Sequence, residues 1–111
     1  IFGLEVPLYS NHLGVAGRCD CIAQYNGVPS IIDFKTSRYK KKKEKISNYF
    51  AQGAAYSIMW EERTGMVVPN IVIIMDVDHE KPSVFVEHRD NWTDLLHNTI
   101  DEYRKRKMFG H

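Results

Sequence analysis

With 111 residues, 43% hydrophobic and 26% charged, this chain has the composition of an ordinary globular domain, large enough for one modest core and too small for two. No apolar run approaches the roughly 20 residues that span a bilayer, and no basic-apolar-small pattern opens the sequence as a secretory leader would. The net charge of +1 hides an asymmetry: from Lys35 to Lys45 seven cations face only Glu44, a local net charge of +6, and the rest of the chain sums to −5, so a polyanion would be met by one segment.

Residues 3–9 alternate loosely and read as a first strand, with Pro7 marking a sheet edge. Because this run begins almost at the first residue, which is Ile and not Met, the natural protein is expected to continue upstream. Ser10-Asn11-His12 is turn-like, and residues 14–25 form a second strand. Asn26-Gly27 between apolar runs is a strong hairpin signal, followed by a third strand from Val28 to Lys35. By period two, Arg18, Asp20 and Ile22 share one face of the second strand. Ile31, Asp33 and Lys35 share one face of the third, with Ile32 and Phe34 on the other. The hairpin therefore brings both carboxylates to one face near a sheet end. The same alternation puts Cys19 and Cys21 on one face, as small buried hydrophobes and not a disulfide. Two cysteines are too few for an iron–sulfur cluster, and a reducing, intracellular compartment is expected.

Residues 46–63 place Ile46, Tyr49, Phe50, Gly53, Ser57 and Trp60 at helical spacing, with Gly65 as the C-terminal cap. Residues 69–77 are the most apolar run and predict a central strand; a short strand follows Lys81-Pro82 at 83–88. A last helix starting near Asp90 or Asn91 carries Trp92, Leu95, Leu96, Thr99, Ile100 and Tyr103 on one stripe, and ends in Arg104-Lys105-Arg106-Lys107, which suits the negative end of the helix dipole. The order β-β-β-α-β-β-α predicts an α/β or α+β domain, a mixed sheet flanked by helices, with residues 1–111 as a single unit.

Asp20, Asp33 and Lys35 are charges on strands that should be apolar, where an ionised group is costly unless paired or bound to a metal. Two carboxylates plus main-chain oxygen make a hard, oxygen-rich donor set suited to Mg²⁺ or Mn²⁺, and hence to phosphodiester hydrolysis. Lys35 could orient an attacking water or neutralise charge developing on the phosphoryl group, and its proximity favours ionised carboxylates. The plain alternative is a structural Asp–Lys ion pair. On the following helix Gln52 and Tyr56, four apart, lie on one face; Gln offers donor and acceptor groups, Tyr a hydroxyl and a ring.

Taken together, Gly17-x-x-Asp20, Asp33-x-Lys35 and Gln52-x-x-x-Tyr56 resemble the motifs of the PD-(D/E)xK nuclease superfamily in its RecB-like exonuclease branch. The wording Cys19-Asp20-Cys21-Ile22-Ala23-Gln24-Tyr25-Asn26-Gly27 and Ile32-Asp33-Phe34-Lys35-Thr36-Ser37 is similar to the mitochondrial genome maintenance exonuclease group and its phage and bacterial relatives. The resemblance is specific from about residue 14 to residue 56. It implies a restriction-endonuclease-like core and a Mg²⁺-dependent deoxyribonuclease acting on DNA, often single-stranded with a free end, in replication, repair or recombination. It also implies a bacterial or phage-infected cytoplasm, or the mitochondrial matrix. Under it Asp20 and Asp33 are metal ligands, joined by the backbone carbonyl of Phe34. Lys35 is the catalytic lysine, and Gln52 and Tyr56 support the site and touch nucleic acid. Glu5 falls where the family often carries a further acidic ligand. Family members also supply a metal-binding His from a helix upstream of the first strand; His12, in a turn, does not match it, so a core lacking that helix is expected.

Ser37, Arg38, Lys40, Lys41, Lys42 and Lys43 follow the site directly and are candidates for phosphate contacts, which carry no sequence information. Tyr39 and Tyr49 flank the run and could stack on bases. The histidines at 12, 79, 88, 97 and 111 lack zinc-ligand spacing, and Asp76-Val77-Asp78-His79 reads as a turn. Rival expectations are an endonuclease of the same fold, a nucleic-acid-binding module without catalysis, and a structural domain with fortuitous ion pairs.

Overall fold

The computed structural model describes residues 2–10, 15–37, 43–77 and 81–108. Strands β1 (Gly3–Ser10), β2 (Val15–Tyr25) and β3 (Val28–Ser37) precede helix α1 (Lys43–Thr64). Strands β4 (Asn70–Val77) and β5 (Ser83–His88) follow, then a 3₁₀ turn at Arg89–Asn91 and helix α2 (Thr93–Met108). Among the described residues the strands form one sheet in sequence order. Every neighbouring pair is antiparallel except β3 and β4, which run parallel because α1 is the crossover between them. The chain is thus an α+β fold with a mixed sheet. No described helix is long and apolar enough to cross a membrane.

Local chemistry accounts for the joints. Asn26 and Gly27 both have positive φ, 51° and 80°, as a two-residue hairpin of the type that matches strand twist demands. Gly65 (φ 77°) closes α1, its amide donating to the Glu61 carbonyl at 2.7 Å. The last helix begins later than its sequence suggests: His88 Nδ1 accepts from the Asp90 amide at 3.1 Å, capping the 3₁₀ turn at Arg89–Asn91 before α2 starts at Thr93. The predicted stripe on α2 is buried at Leu96 and Ile100 and ends there, for Tyr103 is exposed.

One core cluster joins the sheet to both helices: Val6, Leu8, Cys19, Ile22, Ile31, Ile71 and Ile73 meet Phe50, Ala54, Met59, Leu96 and Ile100. Each of the fully buried isoleucines contributes about 1.5–3 kcal/mol. A Cβ on Gly53 would lie 2.4 Å from Ile71 Cγ2, so the missing side chain lets α1 approach β4 closely. A smaller cluster of Cys21, Ala23, Ile32 and Val72 occupies the opposite face of the sheet.

That division corrects two expectations. Cys19 and Cys21 do not share a face, because Cys19 packs in the helix-side cluster and Cys21 in the other. Arg18 and Ile22 do not share one either: Arg18 is exposed and Ile22 is in the helix-side core. The cause is a break in alternation on β2 between Cys19 and Ile22. Opposite it the β1–β2 ladder skips a pair, resuming from Leu4↔Cys21 at Val6↔Cys19, and Glu5 takes φ 47°, a left-handed value rare outside glycine. Period two holds only along an unbroken ladder.

Candidate active site

The site lies where β2 and β3 part. Their ladder runs from Tyr25↔Val28 to Cys21↔Ile32 and stops before Asp20 and Asp33. Beyond it carboxylates bridge the strands in place of backbone pairs. Asp20 Oδ2 accepts from the Phe34 amide at 3.0 Å, and the Asp20 amide donates to Asp33 Oδ1 at 3.4 Å. A strand residue presents its N–H and C=O on the same edge, so the Phe34 carbonyl also leaves β3 toward this gap, while its side chain is exposed. The site stands near the carboxyl end of β3, which keeps its parallel ladder to β4 as far as Ser37 while its pairing with β2 stops at Ile32, and from which the chain departs toward α1.

Asp33 shares the inward face of Ile31, as alternation predicts, and is only 2% exposed. Its Oδ2 is buried with no hydrogen-bond partner among the described residues. Burial pushes the carboxyl pKa up from its ordinary value; Lys35 and the Asp20 amide pull it down, and the Asp20 charge raises it further. Cys19 lies in the same buried environment, its thiol pushed up to about 12 by burial and then by the Asp33 charge, so it is an inert core thiol.

Lys35 reaches the other way. Its Nζ donates to Gln52 Oε1 at 3.3 Å and sits 4.8 Å from the centroid of the Tyr49 ring. Among the described residues no ion pair joins Lys35 to Asp33. The ammonium is therefore held on α1 and not collapsed onto Asp33 as a structural ion pair would be. Tyr56, one turn after Gln52, is buried and accepts from the Arg18 backbone amide. Its hydroxyl is pushed up to about 12, by burial and then by the Asp33 charge. The structure thus brings Asp20, Asp33, Phe34, Lys35, Gln52 and Tyr56 together.

Gly17 makes room for Tyr56. A Cβ there would lie 2.9 Å from Tyr56 Cε1 and 3.0 Å from its hydroxyl oxygen. Gly17→Ala, which would ordinarily favour a strand by roughly 0.5–1 kcal/mol, should instead destabilise the protein by about 1–2 kcal/mol through overpacking, as read by urea denaturation. An unchanged or raised midpoint would mean that the ring moves aside freely.

Glu5 stands opposite Asp20 at the skipped pair and is exposed. Among the described residues no group of three or more His, Cys, Asp or Glu side chains is arranged to hold a metal. The set present is smaller: two carboxylates, one with an unpartnered buried oxygen, and a main-chain carbonyl facing the same gap. That fits Mg²⁺, which keeps several waters and is commonly bound through one or two carboxylates plus substrate phosphates. Arg38, Lys40, Lys41 and Lys42 lie outside the described residues. Ser37 ends β3 and Lys43 begins α1, and only their backbone placement is described. Sequence reasoning offers Tyr49 for base stacking and misses it as a partner of Lys35, although it stands three residues before Gln52 on the same helix and so on the same face.

The sequence matches no protein-family model and no curated protein. Among solved structures it is similar to one described as a "Putative exonuclease" from Eubacterium rectale, with a TM-score of 0.58 and 18% identity over 94% of this chain and 43% of that one. At that identity the likeness is one of fold. The chain spans less than half the length of that relative.

Proposed function

We propose that this chain is the core of a metal-dependent deoxyribonuclease of the RecB-like PD-(D/E)xK branch, an exonuclease acting on single-stranded or frayed DNA ends in replication, repair or recombination. The observation that carries this reading is the unpartnered Asp33 Oδ2, buried beside Asp20 with Lys35 held apart on Gln52. A buried carboxylate oxygen with no donor is destabilising unless a cation completes it. The similarity in fold to a protein described as an exonuclease supports the same reading.

Asp20, Asp33 and the Phe34 carbonyl would hold Mg²⁺ or Mn²⁺. When bound, the cation supplies Lewis acidity toward a phosphodiester. Asp20 also fixes β3 through the Phe34 amide, which sets the height of Asp33. Lys35 offers a fixed positive charge where negative charge develops on the phosphoryl oxygens. Gln52 holds that ammonium, and Tyr56 packs the helix against β2 behind the carboxylates. The basic segment after Lys35, which lies between β3 and α1 in the chain, would contact backbone phosphates.

Linear and covalently circular single-stranded DNA, incubated with Mg²⁺ or with EDTA, test the reading. Loss of the linear substrate alone, and only with metal, is expected. Cutting of the circle would make the enzyme an endonuclease. DNA binding that survives EDTA without any cleavage would make the chain a binding module and overturn the proposal.

A further inference from the structure

We propose that Tyr49 is a positioning residue for Lys35, its ring holding the ammonium at the cleft so that the charge stays aimed at the scissile phosphate. This rests on the nuclease reading above. A lysine is a point charge on a flexible four-carbon stem, so a useful position must be imposed from outside. Among the described residues Lys35 has two constraints, both from α1: Gln52 Oε1 at 3.3 Å and the face of Tyr49 at 4.8 Å. Gln52 is itself exposed, so its amide is a mobile anchor. Tyr49 is half-buried and packed against the core cluster, which restrains its ring. The ring face therefore provides the rigid side of the clamp, and attraction between cation and ring favours the ammonium's position over it.

Kinetics separate this role from a substrate contact. A stacking residue acts mainly on KM, whereas a residue that aims a charge at the transition state acts on kcat. Nothing in the clamp needs the phenol hydroxyl, so phenylalanine should serve.

Tyr49→Phe and Tyr49→Leu, assayed for Mg²⁺-dependent cleavage of a linear single-stranded oligonucleotide, provide the test together with proton NMR of the Lys35 side chain. In the wild type and Tyr49→Phe, the Lys35 Hε protons should be shifted upfield by the ring. In Tyr49→Leu they should return to ordinary positions. Tyr49→Phe should keep kcat within about 3-fold of wild type, and Tyr49→Leu should lower it about 10–100-fold with KM nearly unchanged. A Tyr49→Leu enzyme with wild-type kcat, or one altered only in KM, would overturn the proposal. So would unshifted Lys35 resonances in an active wild-type protein, a measurement that does not depend on how well the variants fold. An inactive wild type with shifted resonances would instead overturn the nuclease reading, and the proposal with it.

Discussion

Lys35→Ala should lower the rate of metal-dependent DNA cleavage by about 10³-fold, which corresponds to ~4 kcal/mol of transition-state stabilisation. The protein itself should tolerate the change. Lys35 is half-buried, its hydrogen-bond partner Gln52 is exposed, and it belongs to neither core cluster. The melting temperature should therefore move by no more than about 2 °C, in keeping with the small effects of surface substitutions. Binding should also change little, because one phosphate contact among many carries a modest share of affinity for a polyanion. Lys35→Arg should not restore the rate, since a planar fork cannot occupy the place of a compact ammonium between an amide oxygen and a ring. Single-turnover cleavage in saturating Mg²⁺ is the measurement. A Lys35→Ala enzyme within about tenfold of wild type would remove Lys35 from the chemistry.

The hairpin, the crossover helix and the short strand at 83–88 could be read from the sequence because each is specified by neighbouring residues. Asn26-Gly27 fixes a turn by its backbone preferences, and the apolar spacing from Ile46 to Trp60 is itself the packed stripe of α1. Burial of Asp33 was legible as well, since it alternates with Ile31 on an uninterrupted strand. What alternation could not convey was the break on β2. No glycine or proline stands at Glu5 or Asp20 to announce it. It arises where β2 leaves β3, and Glu5 adopts its left-handed backbone opposite that departure. Alternation thus assigns Cys19, Cys21, Arg18 and Ile22 to faces by a rule that ceases to apply between them.

The same break explains how the site can exist. In a regular hairpin a β2 residue would offer its carbonyl to the Phe34 amide; here the Asp20 carboxylate does so, and the strands are held by side chains across a gap. Beside that gap Asp33 Oδ2 is left buried with no hydrogen-bond partner among the described residues. The left-handed φ at Glu5, an unfavourable state for a non-glycine residue, sits opposite Asp20, where the β2–β3 ladder has stopped. Strain of this kind clusters at functional sites.

Asp33→Asn should make the metal-free protein more stable at neutral pH, by about 1–2 kcal/mol or roughly 4–8 °C in melting temperature. Burial raises the folded-state pKa of Asp33 above its ordinary 3.8. Between 3.8 and the raised value the folded protein binds more protons at this group than the unfolded chain does, so the stability contributed by Asp33 falls as pH rises through that window. Asparagine does not titrate. Its advantage should therefore vanish near pH ~3 and grow upward through the window, as thermal melts across pH would read. Divalent cation should reverse the order at neutral pH. A ligand at 100 times its Kd adds about 2.7 kcal/mol to the form that binds it, and a neutral amide in place of the Asp33 carboxylate weakens the set that holds it. Wild type should gain from Mg²⁺ or Mn²⁺, and the variant little. If the variant melts below wild type in EDTA, or if both gain equally from metal, Asp33 is not a carboxylate awaiting a cation. The opposite pattern, a residue that destabilises the empty fold and stabilises the loaded one, is how a site kept for binding differs from an ion pair kept for structure.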